Sequence, residues 1–592
     1  MTLPVVFQTM DDVDGMVNKL REEYAATYSK PPRLEQTNAW KGSLNALKGA
    51  DIDYPLLAEF PIFDLERADF LVVGKRKVLA IETKGWRTIR RVNDYSVIAD
   101  GKQEQDPCYQ LNNYVSKLRY FHSATARFAF DGALFTYNNS RYSDSCSVVT
   151  TPHQLGAAVS SLGDPGGDAE LSEIINGKFI ITKSLIDLIK ENKELLLDKA
   201  ALVLLSRGYG LTAEQSGLLE NVLGSLEKRE KKVYLVKGES GSGKTLAAVT
   251  LMLEAVSRGY KTLLGYRNNR LLNTLRNVLS IERGTINLSA LIQFYSMGAQ
   301  GGFRGIGEPK FAIDKYGPLD LAVFDEAQRM TEQVISLSMS RARVSVYFYD
   351  ESQILTGNEQ GTREDFLKYA PSAAQSHLSA PFRVPTSYLK FVEDLLDGKR
   401  SVPQRYDFET FEDIRHMMRM LQDRKAEGSK VALVSSFTES DGNKDPASPN
   451  NVRIGYPLQS RFDLYKGLDV EVRWLMDEKR QYPKYWMGEL DPLAYCASVY
   501  GAQGFETDYV GVIWGRDFVR RGSSWQTNPG VITDKVGGSY SLRSAADKDL
   551  SKAERLLKNR YYIMLTRGIR GTYVFFEDSE TKDFVTRSIR LS

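Results

Sequence analysis

Gly238-Glu239-Ser240-Gly241-Ser242-Gly243-Lys244-Thr245 decides how the larger part of this 592-residue chain is read. It satisfies G-x-x-x-x-G-K-[ST] at every required position. The apolar run Val233-Tyr234-Leu235-Val236 before it predicts a buried strand, and Leu246 to Ser257 after it predicts a helix. That strand–loop–helix order is the context the motif requires. Gly238, Gly241, Ser242 and Gly243 let the backbone wrap a triphosphate, and N–H groups at the helix start point at the anion. Lys244 reaches the β- and γ-phosphates, and Thr245 offers a hydroxyl to Mg²⁺. ATP and Mg²⁺ are the expected ligands. The rival, a Gly/Ser-rich turn that binds nothing, does not account for both flanks.

Further acids fall where such chemistry needs them. Leu319 to Phe324 is an apolar run ending in Asp325-Glu326-Ala327-Gln328. Asp325 is expected to hold the metal through its water shell, and Glu326 to orient and deprotonate the attacking water. A second predicted strand, Val344 to Tyr349, ends in Asp350-Glu351-Ser352-Gln353, where Gln353 can sense the γ-phosphate. Upstream, Gln215 can read an adenine edge.

Composition frames the rest. The chain is too long for one core and should split into about three or four domains. Its net charge is only +3, so nucleic-acid contacts must come from local patches. Cys108, Cys146 and Cys496 lie far apart; they form neither a disulfide framework nor a zinc spacing, which suggests a reducing compartment. The four histidines are not paired at ligand spacing, so metals are expected to be oxygen-bound Mg²⁺ or Mn²⁺. Met1 to Val17 does not read as a signal peptide, and no apolar run approaches transmembrane length, so a cytoplasmic protein without membrane contact is expected.

The front of the chain holds a second constellation. Arg67-Ala68-Asp69-Phe70-Leu71-Val72-Val73 and Val78-Leu79-Ala80-Ile81-Glu82-Thr83-Lys84 flank Gly74-Lys75-Arg76-Lys77. Folded as a hairpin about Lys75-Arg76, they set Asp69 opposite Glu82, close enough to share a cation. Alternation puts Lys84 on the face of Glu82. Two carboxylates and a lysine around Mg²⁺ can activate water against a phosphodiester. Gln110 and Tyr114 stand at i, i+4 on a predicted helix, and Glu59 and Glu35 compete as a further acidic ligand. An E-x-K alone is usually a salt-bridging strand edge; Asp69 in register and the Q-x-x-x-Y weigh against that.

Asp69, Glu82-x-Lys84 and Gln110-x-x-x-Tyr114 resemble the PD-(D/E)xK core of RecB-type and nuclease-related domains, with Ala68-Asp69 in place of Pro-Asp. The phosphate loop and acid pairs resemble the ordered motifs of superfamily 1 helicases of the UvrD type, closest to the helicase-like domain shared with Schlafen proteins. The order continues through Leu378-Ser379-Ala380-Pro381-Phe382-Arg383, Tyr500-Gly501-Ala502-Gln503-Gly504-Phe505-Glu506 and Tyr562-Ile563-Met564-Leu565-Thr566-Arg567. This implies an α/β chain: a PD-(D/E)xK core over 1–160, a helical connector over 161–209, and RecA-like parallel-sheet domains over 210–380 and 381–592. It implies arginine fingers at Arg383 and Arg567, Glu506 at the nucleotide, and a nucleic-acid partner, DNA before RNA. Arg267 and Arg270 are candidate strand contacts, with Phe294, Tyr295 and Phe382 as stacking platforms. Ser498-Val499-Tyr500, where a histidine is often found, favours translocation over strand separation. Segments 438–451 and 523–541 read as polar surface loops. Such fusions resemble bacterial genome-maintenance or antiphage proteins.

Overall fold

The computed structural model describes the chain except residues 1–2, 11, 29, 63–65, 93–95, 140–141, 143, 145, 180–203, 206–208, 240, 267–281, 284–285, 288–291, 295–298, 301–302, 305–318, 380–383, 405, 437–455, 461–462, 475, 477–480, 487, 504–505 and 591–592. It divides into two compact units: Met1–Leu188 with Asp198–Asn221, and Ile189–Leu197 with Val222–Ser592.

The first unit is built on a six-stranded sheet of order β1-β2-β3-β4-β8-β9. Its strands are β1 (Val5–Phe7), β2 (Leu56–Ile62), β3 (Glu66–Val73), β4 (Lys77–Lys84), β8 (Ala129–Thr136) and β9 (Val148–Val149). A small sheet of β5 (Ile89–Arg91), β6 (Ser96–Ala99) and β7 (Lys102–Gln105) stands apart from it. The β1–β4 ladder is antiparallel, and β4 then pairs in parallel with β8. Helix α3 (Pro107–Phe121) makes the crossover a parallel pair needs. Alternation sorts the strands into two cores. Phe70, Val72, Leu79 and Ile81 pack under α1 (Val13–Tyr28) and α2 (Leu34–Lys48), while Leu71, Val73, Val78 and Ala80 pack under α3.

Two further elements, one inside the expected 1–160 core and one beyond it, complete this unit. β1 closes the sheet edge against β2. The helix Asp168–Asn176, assigned from sequence to a connector, buries Leu171 and Ile174 in the same core as α3. The Gly166 N–H donates to the Val73 carbonyl at 3.0 Å, so the Gly/Pro/Asp-rich stretch folds back onto the sheet instead of leaving it. The rest of the predicted connector lies largely outside the described residues.

The cysteine expectation is overturned: Cys108 and Cys146 form a disulfide with Cα atoms 5.5 Å apart. Their 38-residue separation hid the contact, because it is made by the first turn of α3 meeting the segment that leads into β9. Cys496 is free and buried.

The second unit holds two mainly parallel sheets, as expected of two RecA-like domains. In the first, Lys232–Gly238, which feeds the phosphate loop, lies between Ala342–Tyr349 and Ala374–Leu378; Leu319–Phe324, Thr262–Tyr266 and Ile292–Phe294 follow beyond Ala342–Tyr349. In the second, Gly568–Phe576, Thr507–Trp514 and Val431–Ser435 run side by side in parallel. These are near-continuous apolar runs because both faces of each sheet are covered by helices.

The polar segment 523–541 is not a surface loop. Ser524–Thr527 pairs with Phe518–Arg521 as a hairpin, and Trp525, Ile532 and Asp534 are buried. Trp525 stacks on Trp514 with ring centroids 5.3 Å apart, a contact that the polarity of its own segment does not announce. Among the described residues no helix is long and apolar enough to cross a membrane.

Candidate active sites

In the first unit the hairpin register is the one expected. Phe70 pairs with Ile81 and Val73 with Val78, which carries Asp69 to the level of Glu82. The Asp69 carboxylate accepts from the Thr83 backbone N–H at 2.9 Å and its hydroxyl at 2.6 Å. Glu82 is 1% exposed. Burial drives its carboxyl up to about 8, and the neighbouring Asp69 charge pushes the same way. Lys84 Nζ donates to Glu82 Oε1 at 2.7 Å and to Gln110 Oε1 at 3.0 Å, and the Gln110 amide donates to the Tyr114 hydroxyl at 2.8 Å. One hydrogen-bonded row thus runs from Glu82 through the Q-x-x-x-Y helix. Burial pulls the Lys84 ammonium down, but Glu82 and Asp69 together raise it further, so the lysine stays charged.

Of the two rival acids, Glu59 belongs here and Glu35 is exposed on α2. Glu59 is 7% exposed, takes the Trp40 indole N–H at 2.7 Å and pairs with Arg67 at 2.8 Å. Burial raises its carboxyl, Arg67 lowers it, and the Asp69 charge raises it again. It sits at φ 53°, in the left-handed region. Leu57 and Phe60 share one core, as do Ala68 and Leu71, so both strands break their alternation at Glu59 and Asp69. A strand irregularity of this kind re-aims side chains and is common beside active sites. An acid inside the otherwise apolar run Leu56–Ile62 was the sequence signal for it.

In the second unit the loop has the conformation its glycines permit: Gly241 and Gly243 lie at φ 78° and 75°. A Cβ on Gly238 would come within 2.4 Å of the Ser242 hydroxyl. Lys244 Nζ donates to the Gly238 and Glu239 carbonyls at 2.7 and 2.8 Å and stands 3.8 Å from Asp350. The Thr245 hydroxyl donates to Asp325 at 2.7 Å, across 80 residues of sequence. Glu326 is buried at φ 54°. Burial pushes its carboxyl up to about 7, and the Asp325 charge adds to that.

Glu326 is held from both sheets. The Gln328 amide donates to it at 2.5 Å, and the Gln503 amide donates to the same oxygen at 3.0 Å from the second sheet's side. Gln503 also accepts from Arg329 at 2.7 Å, and Arg329 donates to Glu359 at 2.9 Å. Gln353 donates to Asp350 at 2.6 Å. Arg567 is buried; desolvation lowers its guanidinium, while Glu506, Glu326 and Asp350 pull it back up.

Sequence reading missed what supports this cleft. Arg560, fully buried, pairs with Asp534 at 2.7 Å and donates to the Tyr500 hydroxyl at 2.8 Å. The signal was present: Ala553, Leu556, Leu557, Arg560 and Met564 recur at helical spacing on the buried face of Leu550–Leu565. Gln215 closes a turn with Thr212, whose backbone N–H donates to the side chain at 3.1 Å, and it belongs to the first unit. Ser240, Arg267, Arg270, Tyr295, Phe382 and Arg383 lie outside the described residues, and Phe294 is described only as part of a strand.

Residues 231–578, more than half of the chain, match the Schlafen group 3 DNA/RNA helicase domain. The chain belongs to that family. Residues 40–135 match the nuclease-related domain, so this Schlafen group 3 member is a nuclease-related domain fused to a helicase-like module. Among curated proteins, the uncharacterised protein YPL245W of Saccharomyces cerevisiae is 21% identical over 439 residues, covering 64% of this chain and 90% of that one. Among solved structures, the Arterivirus nonstructural protein 10 helicase is similar both in complex with DNA and alone. The two are 11% and 12% identical, each at TM-score 0.26 and covering 61% of this chain. The chain spans 65% and 63% of those helicase chains.

Proposed function

We propose that this protein is an ATP-driven nucleic-acid motor carrying a metal-dependent nuclease, with DNA as its substrate. The observation that carries the reading is the crowding of Glu59, Asp69 and Lys84 around the buried Glu82, in the segment that matches the nuclease-related domain. Glu82 Oε2 is buried and accepts no hydrogen bond from the described residues, an orphaned acceptor that a cation would satisfy. Asp69 and Glu82 fit Mg²⁺ or Mn²⁺ as oxygen ligands, with Glu59 as the further acid. When bound, the metal lowers the pKa of a water and offsets charge on the scissile phosphate. The chain's own part is positional. Thr83 fixes Asp69, Gln110 fixes Lys84, and the Lys84 ammonium orients the nucleophile and faces the phosphate.

In the motor, the phosphate loop binds ATP, and Thr245 and Asp325 are the residues that would hold Mg²⁺. Glu326, with a carboxyl near neutrality, takes the proton of the attacking water. Arg567, and Arg383 by resemblance, place positive charge against the transferring phosphoryl. Gln503 reaches Glu326 from the other sheet, so closure and hydrolysis share a hydrogen bond.

Purified full-length protein, incubated with Mg²⁺ with and without ATP on labelled single-stranded DNA, duplex DNA and RNA, tests both parts. DNA cleavage and strand-stimulated ATPase are expected. ATPase indifferent to any nucleic acid would instead make the chain an NTP-switched regulator, and cleavage of RNA alone would overturn the substrate.

A further inference from the structure

A cavity of about 570 Å³ in the second unit is lined by Gly398, Arg400, Arg520, Glu580, Phe584 and Arg587 among others. It lies at the far end of the second sheet from the ATP cleft. Gln503 precedes the start of Thr507–Trp514 and Arg567 precedes the start of Gly568–Phe576, whereas the hairpin and helix that line the cavity follow the ends of those strands. Eight residues of parallel strand span about 26 Å.

Arg520 is its floor. The side chain is 6% exposed, and its guanidinium lies 4.2 Å from the Phe584 ring centroid and 5.7 Å from that of Trp525. One Nη donates to the Ser523 carbonyl, but Nε is buried with no hydrogen-bond partner among the described residues. No carboxylate among the described residues forms an ion pair with it, and burial alone pulls its guanidinium down. The acids nearby are engaged elsewhere. Asp578 pairs with Arg521, Asp397 with Lys399, and Asp583 with Lys582. Glu580 takes the Gly522 N–H at 3.0 Å and stands 3.6 Å from Arg521. Arg400 and Arg587 are exposed at the rim, also without an ion-pair partner among the described residues. Gly398, at φ 77°, keeps the floor open: a Cβ there would come within 2.6 Å of the Arg520 guanidinium.

A buried guanidinium left without a counter-charge is uncommon, because a buried charge is normally paired. Planar guanidinium forks match phosphate oxygens bidentately, and the volume suits a small ligand. We infer that this cavity is a phosphate-binding site, separate from the ATP cleft, in which Arg520, Arg400 and Arg587 hold a phosphomonoester or diphosphate and Phe584 flanks it. The phosphate can belong to a free small molecule or to the 5′ end of a strand.

Calorimetric titration tests this on the full-length Lys244→Ala protein, whose phosphate loop is silenced, in EDTA. The probes are inorganic pyrophosphate and a short oligothymidylate with and without a 5′-phosphate. Saturable pyrophosphate binding is expected, weakened about tenfold or more by adding Arg520→Gln. Because Arg520 is buried, Arg400→Glu with Arg587→Glu provides a second arm at exposed positions, with a similar loss expected. An oligonucleotide preference for the 5′-phosphate that disappears in these variants assigns the source to a strand end. Pyrophosphate binding without that preference assigns it to a free ligand. Absence of pyrophosphate binding, or binding unchanged in both sets of variants, overturns the site.

Discussion

Both candidate active sites hold a glutamate in the left-handed region, Glu59 at φ 53° and Glu326 at φ 54°. Such a residue costs of order 1–3 kcal/mol and persists only where its surroundings over-determine it. Trp40 and Arg67 do so for Glu59, and Gln328 and Gln503 do so for Glu326. Asp69→Ala, Glu82→Ala and Lys84→Ala should each abolish metal-dependent cleavage, whereas Glu59→Gln should weaken metal binding by about 10-fold while keeping residual cleavage. Metal titration beside a cleavage assay checks the difference; wild-type cleavage by all four would move the active site elsewhere. Glu326→Gln should bind ATP normally and lose turnover by at least about 10²-fold. Lys244→Ala should lose binding itself, and a nucleotide-binding assay run with phosphate release separates the two.

The elements that carry these residues are held by contacts their own sequences only partly advertise. Arg560 sits on the helix that ends just before Arg567, and its counter-charge, Asp534, comes from a segment that reads as a polar loop. Removing one partner of a buried pair strands the other, so Asp534→Asn should destabilise the second unit by about 3–5 kcal/mol in denaturant unfolding. A change under about 1 kcal/mol would show that Tyr500 alone keeps Arg560 satisfied. In the first unit, the Cys108–Cys146 bond joins the first turn of α3, two residues before Gln110, to the approach to β9. Under denaturing, non-reducing conditions only Cys496 should react with a thiol reagent. The Cys108→Ser/Cys146→Ser protein should lose about 2–4 kcal/mol. Three reactive thiols in the denatured protein would refute the bond.

For the whole molecule, the row from Glu82 to Tyr114 is made entirely within the first unit and the phosphate-loop cluster entirely within the second. Asp69→Ala should therefore leave basal ATPase within about twofold of wild type, since sites without shared partners add independently. Gln503→Ala is different, because Gln503 spans the two sheets of the second unit. It should lower strand-stimulated kcat more than nucleotide affinity, and equal losses in both would reduce it to a packing residue.

The sequence alone determined what local spacing can determine. The phosphate loop, the Asp325-Glu326 strand end and the Asp69–Glu82–Lys84 register each depend on a strand period or a turn, and each is visible within a few residues. Tertiary structure decided what depends on approach between distant segments. It brought Glu59 to Asp69, joined Cys108 to Cys146, and buried Trp525 and Asp534 from a polar stretch. It folded the helix Asp168–Asn176 onto the core of the first unit and left Arg520 facing a cavity. The physical reason is one of range. Hydrogen-bonded register and helical period propagate along the chain. Burial, counter-charge and disulfide geometry depend on which surfaces meet, and surfaces separated along the chain meet only in the fold.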